Sequence, residues 1–170
     1  MSLLRWQKEL VVWPSVLAMS CAVGACAAGS GVVDHSFQFD AARDNPGIQV
    51  LDYRYGDSKI PGARSPQEYI RAGRPAQSAS IAGPMRRGDT LWVKWKVKSK
   101  DKIYEDTVDL KSRLPRDIEG HIIYFEIDGA QLFVYLIWPE RRKPNEPSIG
   151  PRNYRQRKMT QIYPDQAGHP

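Results

Sequence analysis

The chain contains only two cysteines, Cys21 and Cys26, and both fall within its first 26 residues. A disulfide-stapled scaffold is therefore excluded, and so are a thiol nucleophile and a Cys-ligated metal centre anywhere downstream. Histidine is nearly as scarce: His35, His121 and His169 stand far apart and form no H-E-x-x-H spacing. The chain has no Gly-x-Ser-x-Gly elbow and no glycine-rich loop opening a helix, so nucleophile-elbow hydrolysis and phosphate-cradle chemistry lack their usual scaffolds. No uncharged apolar run reaches the ~20 residues of a membrane-spanning helix. There are no internal repeats. These absences favour a protein that is not an enzyme and carries no metal or cofactor.

What is present suits one folded domain. The 170 residues are 41% hydrophobic, carry 25 Lys and Arg against 19 Asp and Glu for a net charge of +6, and include 13 Gly and 13 Pro. Domains cluster at roughly 100–150 residues, where a single core buries about two thirds of the unfolded chain's surface.

The N-terminus reads as an address. Arg5 and Lys8 face one acid, Glu9, and an uncharged, largely apolar run of 15 residues follows from Val11 to Ala25, interrupted by Pro14. That order and length fit a signal peptide over 1–25. Val23-Gly24-Ala25-Cys26 resembles the bacterial lipobox, in which an aliphatic and two small residues precede the cysteine that is lipidated. Cys21 fits less well, because Met19 stands where a small residue belongs. The alternative is that Cys26 belongs to the apolar run and cleavage falls near Ala27-Ala28-Gly29.

The lipobox resemblance implies a diacylglycerol thioether and an N-terminal acyl chain on Cys26, in a Gram-negative envelope. Ala27, where Asp would resemble an inner-membrane retention signal, points to the periplasmic face of the outer membrane. Residues 26–33 then form a lipidated tether, and at ~3.3 Å per residue it holds the domain within about 20 Å of the lipid.

The region 34–138 reads as mainly β: a small antiparallel sheet or β-sandwich with one short helix and long loops. His35–Asp40 and Ile48–Tyr55 alternate as strands around the turn signal Asp44-Asn45-Pro46-Gly47. Gly56–Gly88, with five Gly and four Pro, reads as a long loop. Inside it, Ser65-Pro66-Gln67-Glu68 forms a capping box for a two-turn helix ended by Gly73. From Thr90, the set Leu91, Val93, Trp95 and Val97 alternates with Trp92, Lys94, Lys96 and Lys98, the period of a half-buried strand. Lys102–Leu110 follows, its acids Glu105, Asp106 and Asp109 explained by lysines across the ladder. His121–Ile127 and Ala130–Trp138 flank Asp128-Gly129, a type I′ hairpin signal. Leu132–Trp138 is apolar on both faces, so the strand is central or covered by loops.

Residues 139–170 form a basic, Pro-rich C-terminal segment. It holds six of the prolines and Arg141, Arg142, Lys143, Arg152, Arg155, Arg157 and Lys158 against three acids, with Lys158–Tyr163 able to return as a last strand. Tyr154 among arginines resembles a base-stacking site, but an envelope address removes nucleic acid as a partner. An anionic lipid surface or an acidic protein fits better, and the alternative is a solvated tail whose charges serve solubility. The candidate binding residues are Arg86, Arg87 and Trp92 on one surface, with Trp92 either exposed or covered by the long loop, and Arg141, Arg142, Tyr154 and Arg155 on another.

The whole has the look of small Gram-negative envelope lipoproteins, which include immunity proteins that neutralise type VI secretion effectors such as phospholipases. That resemblance implies a protein partner, such as a secreted toxin, and no small-molecule substrate. An alternative is a structural or assembly lipoprotein of the envelope. A third is an envelope hydrolase using Asp106 or His121, which requires a concave pocket around them.

Overall fold

The computed structural model describes residues 31–165, so the signal segment, Cys21, Cys26 and His169 lie outside the described residues. Eight strands run in the order β1 (Val32–Asp40), β2 (Ile48–Tyr55), β3 (Ser78–Arg86), β4 (Thr90–Val97), β5 (Lys102–Asp109), β6 (Ile122–Asp128), β7 (Gln131–Arg141) and β8 (Arg157–Tyr163). Two short helices, α1 (Ala41–Asp44) and α2 (Gln67–Arg71), join β1 to β2 and precede β3. The strands form a five-stranded sheet, β3-β1-β6-β7-β8, and a three-stranded sheet, β2-β4-β5. Every pair is antiparallel except β1 with β6. The fold is a small β-sandwich.

The core lies between the sheets and is aromatic. Phe37 and Phe39 from β1, Tyr53 and Tyr55 from β2, Trp95 from β4 and Phe125 from β6 are at most 2% exposed. Phe39 stacks on Phe125 with centroids 4.3 Å apart, and Phe37 stacks on Tyr55 at 4.6 Å. Such pairs contribute about 0.5–1.5 kcal/mol beyond the area they bury. Their polar tips are satisfied: Trp95 Nε1 donates to Gly129 O at 3.0 Å and Tyr53 Oη donates to Gly62 O at 3.1 Å. Gly88 is small by necessity, because a Cβ there would sit 2.6 Å from the Tyr55 ring.

The β6–β7 hairpin is buried on both sides. Its inner residues, including Ile123, Phe125, Val134 and Leu136, join the main core, while Ile122, Tyr124, Tyr135 and Ile137 form a second cluster on the outer face. The cover for that outer face is the segment 142–156, which brings Ile149 and Tyr154 onto the cluster. Gly150, at φ +67°, passes close under Tyr135, where a Cβ would come within 3.1 Å of the ring. The segment then feeds β8 onto the sheet beside β7.

Several details depart from the sequence reading. Gly56–Gly88 is not a continuous loop, because its last third is β3, paired with β1 from Ser78 to Arg86. Its small residues and Pro84 hide the strand period, and an edge position tolerates a proline that a central strand would reject. The capping box is absent: Pro66 occupies the cap position and no side chain caps it. Ser65 is buried, and its Oγ accepts from Tyr53 N–H at 3.0 Å. The helix is five residues long rather than two turns and ends at Arg71, with Gly73 at φ +62° in the turn just beyond it. The β6–β7 loop is Gly129-Ala130, one residue later than expected, with positive φ at Gly129 only, as in a type II′ turn. β1 starts at Val32 and β7 runs to Arg141, past the expected 34–138 limits.

Phe125→Ala should cost about 3–5 kcal/mol, a large share of the ~5–15 kcal/mol that holds a domain together. Tyr154→Phe, which removes one hydroxyl from the covering segment, should cost about 0.5–1.5 kcal/mol. Urea denaturation followed by tryptophan fluorescence checks both, and equal costs would mean that the core does not lie where the stacking places it.

Candidate functional site

The folded chain presents three distinct surfaces. The first is the outer face of the three-stranded sheet, where alternation turns Trp92, Lys94 and Lys96 of β4 outward. The register sets Arg54 and Thr107 on either side of Trp92, and Glu105 opposite Lys94. The Arg54 guanidinium carbon sits 4.4 Å from the centroid of the Trp92 ring. A shallow cleft beside the pair is lined by Gly56, Thr90 and Thr107. Arg54, not the long loop, lies over Trp92. Lys96 pairs with Asp101 at the β4–β5 turn, and Ile103 stands 51% exposed on the same face. Aromatic, aliphatic and both signs of charge thus share one flat surface.

The second surface is a basic cleft of about 750 Å³ beside the covering segment. Arg141, Arg152, Arg155 and Arg157 line it together with Tyr154, and no carboxylate does. The third is an acidic hollow of about 330 Å³ bounded by Asp44, Glu126 and Asp128, with Phe133 and Tyr135 as its apolar wall. Tyr124 Oη donates to Asp44 Oδ2 at 2.7 Å. Burial, with Asp44 beside it, pushes the Glu126 carboxyl up to about 7. Burial also raises Asp44, opposed by the Tyr124 hydrogen bond. Nearby Arg152 lowers both, and so couples the hollow to the basic cleft.

The candidates from the sequence are dispersed. Arg86 and Trp92 do not share a surface: β3 turns Met85 into the core and Arg86 outward from the five-stranded sheet, whereas Trp92 faces outward from the three-stranded one. Arg87 is tied down, donating to Pro115 O at 2.8 Å. Arg142 is structural, donating from Nε to Arg155 O at 3.1 Å and from Nη1 to the carbonyls of Lys143 and Glu146. Tyr154 is an anchor whose hydroxyl meets Gln38 Oε1 and whose ring meets Tyr124 edge-on at 5.9 Å. Arg141 and Arg155 remain exposed at the cleft. Sequence reasoning did not single out Arg54, Glu126, Asp44, Arg152 or Arg157. The basic composition of 139–170 contained a signal for the last two, but nothing local marks the others.

Asp106 and His121, the alternative hydrolase residues, are each held in structural contacts. Asp106 Oδ2 accepts from Tyr163 Oη at 2.7 Å, tying β5 to β8 across the sandwich. His121 is buried at the start of β6, its Nδ1 donating to Glu119 O at 2.8 Å and its ring edge-on to Trp138 at 4.6 Å. Its Nε2 has no partner among the described residues, so the ring is only half satisfied. His35 is complete: Nδ1 donates to Val33 O at 2.9 Å, and Nε2 is 2.8 Å from Tyr55 Oη, which serves as donor to the neutral ring. Burial lowers the His35 pKa. Among the described residues, no group of three or more His, Cys, Asp or Glu is placed to hold a metal ion. No protein-family model, curated protein or solved structure matches the chain.

Glu126 and His35 bend the stability curve in opposite directions. A carboxyl raised to about 7 in the fold stays protonated while its unfolded counterpart ionises near 4.5, so its contribution declines as pH rises through that window. His35, lowered from 6.5, loses stability for the fold as pH falls, because the unfolded ring protonates first. Glu126→Gln should therefore remove the decline between pH 4.5 and 7 and leave the histidine limb. Urea midpoints across pH 4–8 check this, and an unchanged profile in the variant would show that Glu126 is solvated.

Proposed function

We propose that this chain is a lipid-anchored periplasmic binding protein, and in its most concrete form an immunity protein that neutralises a type VI secretion effector such as a phospholipase. The observation that carries the reading is the open face of the three-stranded sheet, with Arg54 stacked on Trp92 at its centre. Trp and Arg dominate interface hot spots because a flat ring and a planar guanidinium bury much area at little entropy cost. The surrounding lysines, Glu105 and exposed Ile103 suit a protein surface better than a small molecule. Cys26 in its lipobox context supplies the anchor, and anchoring raises the inhibitor's effective concentration at the membrane under attack.

A direct test mixes the protein with a secreted type VI phospholipase effector from the same genome and measures binding by calorimetry. Trp92→Ala should weaken the complex by ~2 kcal/mol or more, about 30-fold, with the melting temperature nearly unchanged. Undiminished affinity would remove this face as the contact. Independently, Cys26→Ser should abolish incorporation of labelled palmitate and move the protein out of the membrane fraction. Palmitate retained by the variant would remove Cys26 as the lipidated residue.

A further inference from the structure

The registers of the five-stranded sheet place several strand ends together. Val32 at the start of β1 lies opposite Arg86 at the end of β3, Ser36 lies opposite Ile122 at the start of β6, and Arg141 at the end of β7 lies opposite Arg157 at the start of β8. β1 begins at this end, so the segment leading back to Cys26 leaves from here too. The opposite end carries the β6–β7 turn, where Trp95 reaches Gly129 O, and the β4–β5 turn with Lys98 and Lys100.

The basic cleft reaches the end from which the tether departs, where Arg141 lies opposite Arg157, and runs along the sheet toward Arg152, which stands near Asp44 and Glu126. Its four guanidinium groups, those of Arg141, Arg152, Arg155 and Arg157, form no ion pair and no side-chain hydrogen bond among the described residues. Like charges around one concavity repel each other, and of the four only Arg152 has carboxyls nearby, Asp44 and Glu126, so Arg141, Arg155 and Arg157 are gathered at a cost to the fold. The arrangement makes electrostatic sense when an anion fills the cleft. The six residues from Cys26 to Gly31 span at most about 20 Å, so an acyl chain on Cys26 keeps the start of β1 within that distance of the headgroup layer.

We propose that the cleft formed by Arg141, Arg152, Arg155 and Arg157 is a docking site for the phosphate groups of an anionic phospholipid surface. The occupied cleft orients the domain with its tether end on the membrane, and the Trp92 face, which lies along the side of the sandwich, stays open toward the periplasm. The orientation rests on the lipid-anchor reading, whereas the cleft's affinity for anionic headgroups does not. Arginine suits this role because its planar fork meets phosphate oxygens in pairs and is weakly hydrated.

The test uses the full chain carrying Cys26→Ser, so that no acyl chain contributes, and measures partition into phosphatidylcholine vesicles with or without phosphatidylglycerol. Any apolar attachment by the N-terminal segment is common to both vesicles, and the ratio isolates the headgroup charge. Preference for phosphatidylglycerol should be at least about tenfold in 0.1 M salt and should collapse at 0.5 M. Arg141→Gln, Arg152→Gln and Arg155→Gln should each reduce it by about fivefold, while Lys100→Gln at the far end leaves it unchanged. Circular dichroism confirms that each variant is folded. Equal partition into both vesicles, or equal losses from Lys100→Gln, would overturn the proposal. Binding to polyglutamate without preference for phosphatidylglycerol would overturn it in favour of an acidic protein surface. Labelled palmitate on the wild-type chain reports separately on the anchor, so failure of the cleft and failure of the anchor are distinguishable.

Discussion

One constraint organises this molecule: the β6–β7 hairpin is apolar on both faces, so a single neighbouring layer cannot bury it. Each Val, Leu, Ile or Phe left in water would forfeit roughly 1.5–3 kcal/mol. The inner face finds the aromatic surface of β1, β2 and β4. The outer face has no second sheet available, and the segment 142–156 is drawn across it instead. The strap is therefore a consequence of the core, and whatever it carries on its other side is delivered to a defined place.

That delivery has an electrostatic cost and a use. The strap brings Arg152, Arg155 and Arg157 to Arg141 without a counter-charge in the cleft, and sets Arg152 near the buried carboxyls Asp44 and Glu126. Its polar groups that do enter the interior are satisfied, with Tyr154 on Gln38 and Arg142 on three backbone carbonyls. The contrast between a spent Arg142 and four unspent neighbours separates structural from available charge, a distinction that composition cannot draw. The two candidate surfaces then fall on different parts of the sandwich. The face with Arg54 on Trp92 is proposed for a protein partner and the basic cleft for a membrane, and no residue belongs to both.

Much of the fold was legible locally. The alternation of Leu91, Val93, Trp95 and Val97 located β4 and its buried face, and all four are buried. The run Leu132–Trp138 announced a strand covered on two sides, and Lys158–Tyr163 matched β8 almost to the residue. β3 escaped because Ala, Ser, Gly and Pro at an edge carry little hydrophobic period, so its pairing with β1 some fifty residues away in sequence supplies the order that its own residues lack. The capping box failed for a related reason: Ser65 was worth more buried against the Tyr53 amide than at a helix of five residues.

The functional surfaces were less legible, because each is assembled from residues far apart in the chain. Trp92 and the tail arginines could be named from their types, but Arg54 meets Trp92 only through the β2–β4 register, and Arg86 leaves Trp92 because the two sheets face opposite ways. The sequence by itself determined the strands other than β3, the double-sided hairpin and the excess of positive charge, since periodicity and composition are local quantities. Only the tertiary structure decided which arginines are spent on carbonyls, which are gathered unpaired around a cleft, and at which end of the sandwich they stand. Those outcomes depend on long-range registers and on the strap that the doubly apolar hairpin requires.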